Sequence, residues 1–105
     1  MVAEPFTYRL TELGKSILPK GAHLWLYGSR ARGDYHSDSD WDLLILLDKD
    51  KEDISDFDNY AYPFMYDGAL ADQAVSPHIY TKNEWGKMSF LPFCKNVEQD
   101  KIVLI

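Results

Sequence analysis

Two small groups of residues in the stretch YGSRARGDYHSDSDWDLLILLD, residues 27–48, have the types and spacing to do chemistry. The first is Gly28-Ser29, where an apolar segment stops and a helical turn over Ser29 to Gly33 follows. Glycine lets a ligand come close to the backbone. Amides at a helix start favour an anion, and Ser29 adds a hydroxyl donor. Together they form a small phosphate cradle. Taken alone, the same pair also reads as an ordinary strand-to-helix turn with Ser29 as its N-cap. The second group is Asp40 and Asp42, two residues apart at the start of an expected strand. Alternate strand residues project to one face, so both carboxylates point the same way with Cα atoms roughly 7 Å apart. Carboxylates held so close repel unless a cation sits between them. Magnesium suits such a pair, because it takes one or two carboxylates and completes its shell with water and phosphate oxygens. Two such ions about 3.5–4 Å apart can activate an attacking oxygen and stabilise a leaving one.

The surroundings narrow the ligand. Residues 34–58 carry ten acidic side chains and, as basic ones, only Lys49 and Lys51. Bare phosphate would not approach such a surface, whereas a nucleoside triphosphate carrying Mg²⁺ would, with Arg30 and Arg32 close by to help. Trp41 sits between the two aspartates and is expected to face the opposite side, into the core.

These groups must be placed by a small framework. Phe6, Leu10, Leu13 and Ile17 recur at helical spacing from about Pro5 to Leu18, with Pro5 suited to the first turn. His23–Tyr27 and Trp41–Leu47 read as buried strands, the second covered on both faces. Asp50 to about Tyr66 contains Ile54, Phe57 and Ala61 at helical spacing, and Pro63 is expected to end or kink a helix there. The alternating Tyr60, Tyr62, Phe64 and Tyr66 suit an extended segment or a partner surface, with core packing the simpler use. Gln73–Tyr80 is a third strand, where Pro77 is tolerable only at an edge or bulge. Asn83–Met88 and Phe90–Val97 read as short helices, and Ile102–Ile105 as a last strand or a docked tail. The expected fold class is α+β, an α/β sandwich in which helices pack on a small mixed sheet.

Composition sets the outer limits. The chain has 105 residues, 17 acidic and 11 basic, for a formal charge of −6. That suits one domain, residues 1–105. The longest wholly apolar run, Leu43–Leu47, is too short for a bilayer, and the N-terminus lacks the pattern of a signal peptide. A cytoplasmic protein is expected, with no membrane partner. Its acidity argues against direct nucleic-acid binding, which needs basic patches. The one cysteine, Cys94, excludes an internal disulfide and a cysteine zinc cage and reads as a packing residue. A calcium loop starting at Asp48 would need glycine at its sixth and glutamate at its twelfth position, where Asp53 and Asn59 stand. The acidic run Asp48–Asp58 therefore reads as a solvated loop and helix start.

The run Gly28-Ser29, ten residues, then Asp40-Trp41-Asp42 resembles the signature of the DNA polymerase beta-like nucleotidyltransferase superfamily. The wider match GSRARG…SDSDWDLLIL is similar to its minimal nucleotidyltransferase branch and is strongest over residues 22–48. The resemblance implies that Gly28 and Ser29 hold the β- and γ-phosphates, that Asp40 and Asp42 bind two Mg²⁺ ions, and that Ser39 also touches phosphate. It implies attack by an acceptor hydroxyl or phosphate on the α-phosphorus of a nucleoside triphosphate such as ATP. It also implies a small helical partner of the HEPN kind in a toxin–antitoxin pair, with AMP passed to a partner tyrosine. One departure stands out. The family places a third carboxylate on the next core strand, and counting back from Thr81 puts that place near Ser76. Asp72 and Asp67 are the nearest acids before that strand. His78 could serve as a base but reads more simply as a structural histidine. The alternative is a degenerate nucleotidyltransferase domain that binds nucleotide or partner without turnover. Transfer to a small molecule fits less well, since such enzymes usually add a second domain.

Overall fold

The computed structural model describes residues 5–105. In chain order it contains α1 (Phe6–Ile17), β1 (His23–Tyr27), α2 (Ser29–Arg32), β2 (Trp41–Leu47), a π-helical turn (Phe57–Ala61), α3 (Tyr62–Leu70), β3 (Val75–Thr81), α4 (Lys82–Lys87), α5 (Pro92–Asp100) and β4 (Ile102–Val103). The four strands form one sheet in the order β3-β2-β1-β4. β1 pairs antiparallel with β2 and β4, and β2 pairs parallel with β3. This is the mixed sheet of the expected α+β class.

The sheet is apolar on both faces because β2 is a continuous run of large aliphatic residues. Leu43, Ile45 and Leu47 join Leu24, Leu26, Leu10 and Phe64 beneath α1 and α3. Leu44 and Leu46 face the other way and join Trp25, Tyr27, Trp85, Cys94 and Val97 beneath α4 and α5. Each large side chain buried in this way stabilises the fold by ~1.5–3 kcal/mol. Cys94 is buried among them as a packing residue. Pro77 falls on β3, an edge strand, where a missing amide is tolerated.

Pro5 is the N-cap of α1 rather than part of its first turn. Of the two expectations for Pro63, an end or a kink, the end is not met: the chain stays helical past it, and the regular α pattern is interrupted just before it, with Pro63 in the first turn of α3, where a missing amide costs little. It has no N–H to offer the Asn59 carbonyl. The turn before it widens, and the Tyr62 amide reaches back to the Phe57 carbonyl in a π-type bond. The aromatic alternation is therefore helical. Phe64 is buried, Tyr60 is partly buried, and Tyr62 and Tyr66 are exposed.

Two termini are well secured. Thr81 and Glu84 make a reciprocal capping box at the start of α4. The tail is both strand and dock, since past β4 the Ile105 carbonyl accepts from the Leu24 amide at 3.1 Å. The acidic stretch is less uniformly solvated than expected. Asp56 is buried, takes Lys49 Nζ at 2.7 Å and accepts the Asp53 amide at 2.7 Å. Among the described residues no helix is long and apolar enough to cross a membrane.

At the far end of β2 and β3, burial, a hydrogen bond with Glu84 and the charges of Glu84 and Asp56 push the Glu52 carboxyl up to about 7. A raised carboxyl contributes stability that is full below its unfolded value and lost as pH rises through the folded value. The melting temperature is expected to fall between about pH 5 and pH 8. Glu52→Gln flattens that decline, which paired thermal melts across the range will show.

Candidate active site

β1 and β2 bring the two sequence groups together. Tyr27 pairs with Asp42 at the last rung, so Gly28 emerges directly beside the Asp42 side chain. Gly28 has φ 74° and ψ −157°, a conformation essentially restricted to glycine, and a Cβ there would overlap Asp42 Oδ2. Gly28 itself is the N-cap of α2 and Ser29 is its first residue, so Ser29 is not the cap. The Gly28 carbonyl accepts the Ala31 and Arg32 amides at 3.1 and 3.0 Å. The helix is a single turn closed by Gly33 in the left-handed region. So short a helix has little dipole of its own, and the cradle consists of local groups: glycine backbone and the Ser29 hydroxyl.

Asp40 lies just before β2 and Asp42 within it. Burial, and then the charge of Asp40, raise the Asp42 carboxyl above the usual carboxylate range, while His78 and Arg32 pull it down. Asp42 pairs in register with Ser76 on β3, and Ser76 Oγ donates to Asp40 Oδ2 at 2.9 Å. The residue beside the aspartate pair on the third core strand is thus a serine. Asp67 is occupied elsewhere: Arg9 grips both its carboxylate oxygens at 2.8 and 2.9 Å and holds its carboxyl low. Asp72 stands in the turn after α3 at φ 59° and lines a cavity of about 410 Å³ with Ser37, Asp38 and Ser39. Among the described residues no group of three or more His, Cys, Asp or Glu is disposed to hold a metal. The donor set is two carboxylates, which suits Mg²⁺ when phosphate and water complete its shell.

Both arginines of α2 have partners within the chain. The Arg30 guanidinium lies 4.4 Å from the Tyr35 ring centroid and 4.3 Å from that of Trp41, and it donates to the Ser39 carbonyl at 3.0 Å and the Ser37 carbonyl at 3.3 Å. It fastens the loop leading into Asp40. Arg32 pairs with Asp34 at 3.2 Å and Asp100 at 3.6 Å, and its charge still reaches Asp42. Ser39 Oγ accepts the His36 amide at 3.0 Å and shapes the same loop. Trp41 turns toward the α1–α3 side as expected, with its indole N–H on Gln73 Oε1 at 2.8 Å. Arg30→Ala is expected to remove roughly 1 kcal/mol of cation–π attraction. Hydrogen exchange across residues 34–40 should quicken, while the rest of the sheet keeps its protection.

His78 is not a core residue. It is exposed on β3, with Nδ1 2.9 Å from the hydroxyl of buried Tyr27. The two residues are 51 positions apart and meet across β2, so no local spacing in the sequence signals the contact.

Comparison with known proteins places these features in context. Residues 9–104 match the family model described as a nucleotidyltransferase domain. The chain is 34% identical over 71 residues to the protein adenylyltransferase MntA of Aphanizomenon flos-aquae (strain 2012/KM1/D3), in an alignment covering 65% of this chain and 47% of that protein. The match thus spans about half the length of that relative. A crystal structure of a toxin–antitoxin with AMP-PNP is similar in fold, with a TM-score of 0.67 over 94% of this chain and 72% of that one, at 21% identity.

Proposed function

The chain belongs to the nucleotidyltransferase domain family, and from that premise we propose that it transfers AMP from ATP to an acceptor hydroxyl in a Mg²⁺-dependent reaction, the acceptor oxygen bonding to the α-phosphorus and losing its proton as pyrophosphate leaves. The observation that carries the reading is the Asp42 side chain set directly against the Gly28 backbone where β1 and β2 end together, with Asp40 two residues before it. In this reading Asp40 and Asp42 hold the metal. Gly28 lets the triphosphate lie against the backbone and Ser29 donates to its β- and γ-phosphates. Ser39 keeps a hydroxyl hydrogen to give to phosphate while its oxygen accepts the His36 amide. Bound there, Mg²⁺ supplies charge neutralisation on the triphosphate. The chain's own contribution is positioning and electrostatics.

The relative named as a protein adenylyltransferase and the fold likeness to a toxin–antitoxin favour a protein acceptor. We assign the acceptor to a tyrosine of a HEPN-type helical partner in the cytoplasm. Incubation of the co-purified pair with ATP and Mg²⁺ should add the mass of one AMP to the partner, on a tyrosine. An unchanged partner mass would refute the transfer step.

A second reading rests on Ser76. With a serine beside the pair where the superfamily expects a third carboxylate, the chain would bind nucleotide or partner without turnover. Mg²⁺-dependent ATP binding without release of pyrophosphate in the presence of the partner would favour it.

A further inference from the structure

We propose that His78 is a phosphate-contacting residue of this site, its Nε2–H donating to an anionic oxygen of the bound triphosphate, with Tyr27 as the positioning residue that fixes the proton on that nitrogen. The inference rests on the nucleotide-binding reading above and adds to it a donor that the Gly28-Ser29 and aspartate groups do not contain.

The argument begins with Tyr27. Its ring is buried at the end of β1, with the Phe93 ring packed edge-on at 5.7 Å and 82°. A tyrosine hydroxyl ordinarily keeps its hydrogen throughout the neutral range. A part-buried hydroxyl must place that hydrogen on an acceptor, and the acceptor in reach is His78 Nδ1 at 2.9 Å. A neutral imidazole whose Nδ1 accepts must carry its hydrogen on Nε2. The pair therefore presents an N–H at the exposed side of β3.

That N–H has a reason to meet phosphate. His78 stands two residues beyond Ser76 on the same face of β3, opposite Leu44. The two arginines of α2 are engaged: Arg30 in the Tyr35–Trp41 stack, Arg32 with Asp34 and Asp100. No hydrogen bond occupies Nε2 among the described residues.

The test uses the whole chain, Mg²⁺ and the α,β-methylene analogue of ATP, which cannot be cleaved at the bond in question. Long-range ¹H–¹⁵N spectra of the ¹⁵N-labelled protein should show His78 with its hydrogen on Nε2, and Tyr27→Phe should relax that preference. In calorimetry His78→Phe, which keeps a ring and loses the donor, should weaken the analogue about tenfold or more, as loss of a charge-assisted hydrogen bond does. His78→Gln, which keeps an N–H at a similar reach, should stay within about threefold of wild type. A wild-type hydrogen on Nδ1, or wild-type affinity in His78→Phe, overturns the inference and leaves the nucleotide site standing. A wild-type chain that does not bind the Mg²⁺-loaded analogue overturns both together.

Discussion

Asp42→Asn is expected to abolish Mg²⁺-dependent ATP binding and to raise the melting temperature of the metal-free protein at neutral pH. Both effects come from one feature. The wild-type carboxyl is raised by burial and by Asp40, so its contribution to stability is full below its unfolded value and lost as pH rises through the folded value. The amide takes away the part-buried carboxyl and its repulsion with Asp40. The same substitution takes away half of the carboxylate donor set. Loss of a residue that merely supports a metal ligand typically costs 10–100-fold in affinity, so loss of a ligand should cost at least ~10²-fold. Calorimetry and thermal melts with and without Mg²⁺ give the two readouts. Mg²⁺ with ATP should stabilise wild type by mass action and leave Asp42→Asn unmoved. An Asn variant that binds as tightly as wild type would remove Asp42 from the site.

Gly28→Ala should damage both stability and binding, for two independent reasons. The backbone at φ 74°, ψ −157° is strained for any residue with a Cβ, at about 1–3 kcal/mol. The new methyl also falls on Asp42 Oδ2, so the carboxylate or the β1–α2 turn must move. A lower denaturation midpoint is expected together with loss of Mg²⁺-dependent ATP binding. Gly33→Ala is the control. It too has positive φ, at 88°, but a Cβ there meets nothing within 4 Å. It should lower stability while leaving the nucleotide bound. Equal binding losses in both variants would mean that general strain, not displacement of Asp42, is responsible.

What the sequence made legible follows from how local each signal is. The apolar period of α1, the aliphatic run of β2 and the glycine ending β1 are each written within about a dozen residues, and all three elements lie where that spacing put them. The count that placed Ser76 beside the aspartates succeeded because a parallel pair of strands has a regular register. Pro63 is expected to end or kink a helix, and the choice between the two was not legible, because it depends on how the preceding turn closes, here as a π turn. The contacts of Arg30, two aromatic rings and two carbonyls, were not legible, since they are set by how the loop folds back on α2. The Tyr27–His78 contact was beyond reach, since it needs the order of three strands to be known.

The edge position of Pro77 has a consequence for the molecule in a crowded solution. A sheet with open sides can recruit strands from other chains, and long, regular apolar edges are the seeds of fibrous aggregates. Here one open side is β4, two residues long, too short a template for extended pairing. The other is β3, where an arriving strand meets a ring with no donor two residues from the start. An apolar sheet sandwiched between thin helical layers is thereby kept from growing sideways. Pro77→Val should accordingly leave the native fold intact while making concentrated samples assemble on heating, which light scattering would register.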